Sequence, residues 1–145
     1  MIGVERMAAE IDALPAPLFP LLDKFYRAQR SHMRVARAQR AWVARRAHEL
    51  VGGVCLTPVA DGHWLTSLLV AAPLRGQGVA GELLRRVRAD TSGSIWLFCH
   101  PELEGFYRRF GYASCATLPE ELAQRLERYA RTKALMAMVS VGTCG

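Results

Sequence analysis

The chain has 145 residues, 51% of them hydrophobic and 22% charged, a balance that can close a hydrophobic core and excludes a disordered or fibrous chain. No segment approaches the roughly 18 unbroken apolar residues of a membrane span, and Met1 to Glu10, with two acidic residues and no apolar stretch, does not read as an export signal. The net charge of +6 rests on 17 arginines with only Lys24 and Lys133 beside them; GC-rich coding produces the same bias, so total charge predicts no nucleic-acid partner, though it suits anionic ligands.

Pro15-Ala16-Pro17 introduces a helix over Leu18 to Arg30, because Leu18, Leu21, Leu22, Phe25 and Tyr26 recur at helical spacing. If that helix persists to about residue 37, Arg27, Arg30, Arg34 and Arg37 align on one face, which is either a solvated face or a docking stripe. Ala41 to Ala44 reads as a strand, Arg46 to Glu49 as a turn, and Leu50 to Val59 as a second strand containing Gly52-Gly53. Asp61-Gly62 signals a tight hairpin, with His63 as a turn residue. Trp64 to Val70 is apolar on both faces apart from Thr66 and Ser67, as a central strand buried on two sides would be.

After a glycine-rich loop, Val79, Leu83, Leu84 and Val87 predict the buried stripe of a helix whose outer face holds Glu82, Arg85, Arg86 and Arg88. Ser94 to Cys99 is a short strand, and His100-Pro101 opens a helix with Leu103, Phe106, Tyr107 and Phe110 inward. Gly111 caps it, Tyr112 to Ala116 is extended, and Thr117-Leu118-Pro119-Glu120 has capping-box spacing before a helix from Pro119 to about Arg131. Leu135 to Val141 closes the chain as a strand. Two β-α units after a hairpin-rich first half imply a mixed α/β sheet in a single domain spanning residues 1–145. Cys55, Cys99, Cys115 and Cys144 show neither CxxC pairing nor a His at metal spacing, so reduced thiols in a cytoplasm are expected, and no metal.

The segment Leu68-Leu69-Val70-Ala71-Ala72-Pro73-Leu74-Arg75-Gly76-Gln77-Gly78-Val79-Ala80-Gly81 reads as strand, glycine-rich turn and helix start. Glycines admit a ligand to the backbone, and the unpaired N–H groups of a first helical turn attract an anion such as a diphosphate. The loop lacks the lysine and hydroxyl of an NTPase phosphate loop and lacks the GxGxxG pattern of a dinucleotide fold. By its physics alone it is an anion-binding helix start or an ordinary turn.

Arg75-x-x-Gly78-x-Ala80 resembles the [Q/R]-x-x-G-x-[G/A] motif of the GNAT superfamily of acyl-CoA-dependent N-acyltransferases, and Phe106-Tyr107-Arg108-Arg109-Phe110-Gly111-Tyr112 resembles that family's FYxxxGF block. The resemblance runs from about Ala41 to Val141. It implies a central mixed β-sheet of about six to seven strands flanked by helices, with splayed central strands. It also implies acetyl-CoA as co-substrate and an amine as acceptor, with no membrane partner and room for a homodimer. Leu68, Leu69 and Val70 would bond the pantetheine arm, and a strand N–H near Leu69 would polarise the thioester carbonyl. Arg75, Gly76, Gln77, Gly78, Val79, Ala80 and Gly81 would hold the pyrophosphate, with Phe106 beside the cofactor.

Periodicity alone makes Tyr107 a core residue; the resemblance makes it the general acid that protonates the departing thiolate. His100 stands where family members often have Asn, so it either contacts cofactor or substrate, acts as base, or merely caps the helix. No glutamate on the central strand offers itself as base, and Glu102 and Glu104 read first as stabilisers of a helix start. The alternative function is a non-catalytic module on the same fold, binding acyl-CoA, nucleic acid or an acidic partner.

Overall fold

The computed structural model describes residues 9–141, so the expectations for Met1 to Ala8 and for Cys144 lie outside the described residues. Among the described residues seven strands form one sheet in the order β1-β2-β3-β4-β5-β7-β6. They are β1 (Glu10–Leu14), β2 (Arg40–Arg46), β3 (Glu49–Val59), β4 (Gly62–Val70), β5 (Ile95–Cys99), β6 (Tyr112–Ser114) and β7 (Met136–Ser140), and the helices are α1 (Phe19–Ala28), α2 (Val79–Ala89), α3 (Glu104–Arg109) and α4 (Glu120–Ala130). β1 pairs antiparallel with β2, and β7 pairs antiparallel with both β5 and β6, whereas β4 pairs parallel with β5, so the sheet is mixed as expected.

The chain packs as two compact units, one of residues up to Cys55 with Ser67–Val87, the other of Leu56–Thr66 with residues from Arg88 on.

In the first unit the two-residue turn Ala47-His48 joins β2 to β3, with φ of 52° and 70° at the two positions. Positive φ at both central residues gives the turn the hand that matches strand twist, so Ala and His stand here where Asn-Gly is the usual choice. The adjacent Gly52 and Gly53 of β3 point to opposite faces of the sheet and each admits a helix. A Cβ on Gly53 would lie 2.5 Å from Leu22 Cδ1 of α1; one on Gly52 would lie 3.2 Å from Leu83 Cδ1 and 3.4 Å from Val79 Cγ1 of α2. Leu22, Phe25 and Tyr26 of α1 thereby enter a core with Leu14, Ala41, Val43 and Cys55. Val79, Leu83, Leu84 and Val87 of α2 are all buried, as their spacing predicts.

α1 ends at Ala28, close to the expected Arg30, and does not persist to residue 37, because Arg30 turns left-handed with φ of 61° and Ser31 N–H bonds back to the Tyr26 carbonyl. Arg27, Arg30, Arg34 and Arg37 therefore share no helix face. Asp23 Oδ1 then accepts from Val35 N–H at 2.8 Å, which pins the extended segment so that Met33 and Val35 lie on the core. β1 is not among the expected elements, since its five mostly exposed residues, EIDAL, are too few and too poor in β-branched and aromatic side chains to carry a strand signal.

In the second unit the β3–β4 turn is Ala60-Asp61, with Ala60 at φ of 52°; Gly62 and His63 belong to β4, contrary to the expectation of a turn there. Val59, Trp96 and Leu122 form its core with Trp64, Phe98 and Val139 packed against them. Pro119 is the N-cap of α4 and no side-chain capping bond forms, so the expected capping box is absent. Leu103, expected inward, is 46% exposed because a 3-10 turn, Pro101–Leu103, precedes α3 and rotates it out of the helical phase. Arg88, expected on an outer face, reaches back to the carbonyls of Phe110, Gly111 and Val141 at 3.1, 2.9 and 2.6 Å, and so ties three chain segments together.

Candidate functional site

β4 is kinked. Ser67 has φ of 62°, a left-handed conformation inside a strand, and the hydroxyl of the buried Tyr26 donates to its carbonyl at 2.7 Å. The ladder between β4 and β5 is confined to His63↔Ile95 and Trp64↔Trp96, so β4 runs on past Trp64 without that pairing. Thr66 to Leu69 are half-buried rather than enclosed on both sides.

Ala71 N–H donates to the Val51 carbonyl of β3 at 2.8 Å. By strand alternation the backbone groups of Leu69 also face β3, and those of Leu68 and Val70 face the opposite edge. Arg75 Nε accordingly reaches the Val70 carbonyl at 3.0 Å. The N–H groups of Leu68 and Val70 thus face away from β3, and that of Leu69 faces it.

The loop that follows is built for close approach. Gly76 and Gly78 have φ of 80° and 89°, which β-carbon-bearing residues adopt only with strain, and a Cβ at either would meet nothing within 4 Å. Glu82 N–H closes the first helical bond onto the Gly78 carbonyl at 3.1 Å, so the N–H groups of Val79, Ala80 and Gly81 belong to the unbonded first turn of α2. Gln77 steadies the loop, donating to the Pro73 carbonyl at 3.3 Å and accepting from Arg46 Nη2 at 3.5 Å. Sequence reading missed Arg46, because only the fold brings the end of β2 beside this loop.

In the second unit, α3 and β6 hold an aromatic cluster. Tyr107 is 8% exposed, with ring centroids 5.0 Å from Phe106 and 6.0 Å from Tyr112, both edge-on. Burial, with a smaller contribution from the neighbouring Cys99, pushes its hydroxyl up to about 12, so it stays protonated at all ordinary pH. Among the described residues its hydroxyl has no hydrogen-bond partner. Phe106 is half-buried against Phe110 at 5.1 Å.

His100 is exposed, and its Nδ1 accepts from Glu102 N–H at 3.1 Å, a helix-capping bond. That leaves the neutral ring's proton on Nε2, available to donate. Glu104 is held by Arg108 through Oε2 at 2.7 and 3.1 Å, one turn along α3. Both glutamates thus sit in helix-start roles. Cys55, Cys99 and Cys115 are free thiols, the first pushed up to about 11 by burial. No described helix is long and apolar enough to cross a membrane.

Comparison with known proteins bears on the whole arrangement. No curated protein matches the sequence. Among solved structures the fold is similar to that of Escherichia coli ElaA, with a TM-score of 0.66 at 17% identity over 91% of this chain and 99% of that one. An aminoglycoside 6'-N-acetyltransferase complexed with coenzyme A has a TM-score of 0.66 at 15% identity, over 90% of this chain and 96% of that one. The IAA acetyltransferase from Bacillus cereus has a TM-score of 0.63 at 14% identity, over 92% and 99%. These likenesses establish the fold. The acetyltransferase (GNAT) domain matches residues 37–114, more than half of the chain, a span that holds both the loop after β4 and the Phe106 to Tyr112 block. The chain belongs to the GNAT acetyltransferase family.

Proposed function

We propose that the chain, acting as a single domain, is an N-acetyltransferase that moves an acetyl group from acetyl-CoA to a primary amine by direct attack in a ternary complex. The observation that carries this is the pair of glycines at φ of 80° and 89° opening onto the unbonded N–H groups at the start of α2, immediately beyond a kinked strand. A diphosphate fits such a cradle, because backbone donors meet it without a β-carbon in the way and the helix dipole favours its charge. Gly76 to Gly81 would hold the pyrophosphate, with Arg75 stiffening the loop through the Val70 carbonyl. Arg46, held at Gln77, adds positive charge beside it.

The pantetheine arm would follow the open edge of β4, bonding Leu68 and Val70, and one of their N–H groups would polarise the thioester carbonyl. The amine nitrogen attacks the carbonyl carbon, the C–S bond breaks, and the sulfur leaves with the electron pair. Tyr107 donates its proton to that sulfur and recovers one from the nitrogen by way of solvent. A phenol held near 12 is a weaker acid than a thiol of about 8.5, so it works by hydrogen-bonding the sulfur as charge develops rather than by ionising beforehand. His100, with Nδ1 engaged at Glu102, would contribute Nε2–H as a contact to cofactor or acceptor.

A screen of primary amines with acetyl-CoA, detecting free thiol and the acetylated product, tests this reading. Thiol release with at least one amine, dependent on both partners, is expected; release with none would overturn it. Free, mostly buried cysteines fit a cytoplasmic setting.

A further inference from the structure

From Lys24 to His48 the chain carries eight basic residues, Lys24, Arg27, Arg30, Arg34, Arg37, Arg40, Arg45 and Arg46, and no Asp or Glu. The remaining residues carry 11 basic and 13 acidic groups, since the whole chain has 19 and 13, so the segment alone accounts for more than the entire net charge of +6. Coding bias would scatter arginine along the chain; it does not gather arginine where acids are missing.

The fold turns this composition into a surface. The end of α1 and the extended run to β2 alternate, with Met33 and Val35 on the core and His32 and Arg34 outward. Between Lys24 and Arg40 the exposed residues are only Lys, Arg, His and Ala. Asp23, the acid nearest in sequence, is half-buried and spends Oδ1 on Val35 N–H beneath the segment. Arg27, Arg30, Arg34 and Arg37 have no acidic partner among the described residues. Along this stretch of chain four guanidinium groups without an acidic partner are separated at the surface only by Ala28, His32 and Ala36, which offer no large apolar side chain of the kind that anchors a protein interface. They suit a ligand with repeated, evenly presented anionic oxygens, which guanidinium groups grip in a bidentate way.

We propose that this strip, centred on Arg27, Arg30, Arg34 and Arg37, docks the phosphate backbone of a nucleic acid. The contact is expected to read charge more than sequence, because the segment offers arginines to the phosphates and no Phe, Tyr or Trp at its surface as a stacking platform. It does not depend on acetyl transfer and is measured without acetyl-CoA.

The test is fluorescence anisotropy of a labelled nucleic-acid duplex with the full chain, across about 50 to 200 mM salt, with unlabelled polyglutamate as competitor. Four neutralised phosphates give a slope of log K against log salt near −3.6, roughly a hundredfold weakening over that range. The variant carrying Arg27→Gln, Arg30→Gln, Arg34→Gln and Arg37→Gln should lose most of the affinity and flatten the slope, while its melting temperature stays near that of the parent. Binding that survives the four substitutions, no binding at the lowest salt, or displacement by polyglutamate at equal charge concentration would each overturn the proposal. Should the fourfold variant melt early, single substitutions, each expected to flatten the slope by about one, provide the same reading.

Discussion

The hydroxyl of Tyr26 in α1 donates to the carbonyl of Ser67 in β4 at 2.7 Å, across 41 positions of sequence, and Ser67 is the left-handed residue that kinks the strand. A non-glycine residue in that conformation costs on the order of 1–3 kcal/mol unless its surroundings over-determine it. Burial holds Tyr26 protonated far above the ordinary tyrosine range, so the donor is permanent. Tyr26→Phe strands the carbonyl and should cost about 1–3 kcal/mol, lowering Tm by several degrees. Thermal melting by circular dichroism reads it, and an unchanged Tm would mean that the bond does not hold the kink.

Gly52 and Gly53 seat α2 and α1 on opposite faces of β3. Gly53→Ala drives a Cβ into the buried Leu22 and should cost about 1–3 kcal/mol by overpacking. Gly52→Ala presses on Leu83, Val79 and the Leu69 carbonyl at 3.2 Å, and so displaces the start of α2 and the loop before it. Gly52→Ala should therefore weaken acetyl-CoA binding more, relative to its loss of stability, than Gly53→Ala. Denaturant midpoints set beside binding affinities separate the two; equal losses of affinity per unit of stability would contradict it.

Much of this was legible in the sequence because it is local. The buried stripe of α2 follows from periodicity, the loop from two glycines before a helix, and the mixed sheet from the order of hairpins and β-α units. What was not legible is long-range. Nothing near Tyr26 says that its partner is Ser67, nothing near Arg88 says that it will bind carbonyls at Phe110, Gly111 and Val141, and Arg46 meets Gln77 only through the fold. Where local signals misled, as in the phase of Leu103, a 3-10 turn interrupted the helical count.

Tyr107→Phe keeps the ring against Phe106 and Tyr112 and removes only the hydroxyl. Turnover should fall by about 10²- to 10⁴-fold while the affinity for acetyl-CoA stays within a factor of about two, because a proton donor acts in the transition state. Steady-state kinetics beside calorimetric binding make the comparison. Unchanged kcat would return Tyr107 to the core.

With Tyr107 held near 12, the pH–rate profile should rise as the acceptor amine loses its proton and then level, with no falling limb from this residue below about pH 11. A falling limb between about pH 8 and 10 that vanishes in Tyr107→Phe would contradict this.

Stability should show the same burial from the other side. Tyr107 at about 12 against an ordinary 10.0, and Cys55 at about 11 against 9.0, keep in the folded chain protons that the unfolded chain releases. Their contribution is complete below about pH 9 and is lost as pH rises from there to about 12, on the order of 3 kcal/mol for each group. Chemical denaturation should show a midpoint that is level from pH 8 to about 9 and falls from there to about pH 11, less so in Cys55→Ala once its own lower starting stability is subtracted.

The most direct test is calorimetric titration of the full chain with acetyl-CoA and, separately, with acetyl-pantetheine, which lacks the pyrophosphate. If the backbone donors from Gly76 to Gly81 hold that group, acetyl-CoA binds saturably at one site per chain and acetyl-pantetheine binds at least about 100-fold more weakly, since charge-assisted hydrogen bonds are worth about 1.5–3 kcal/mol each. No heat with acetyl-CoA, or equal affinity for the two ligands, would contradict it.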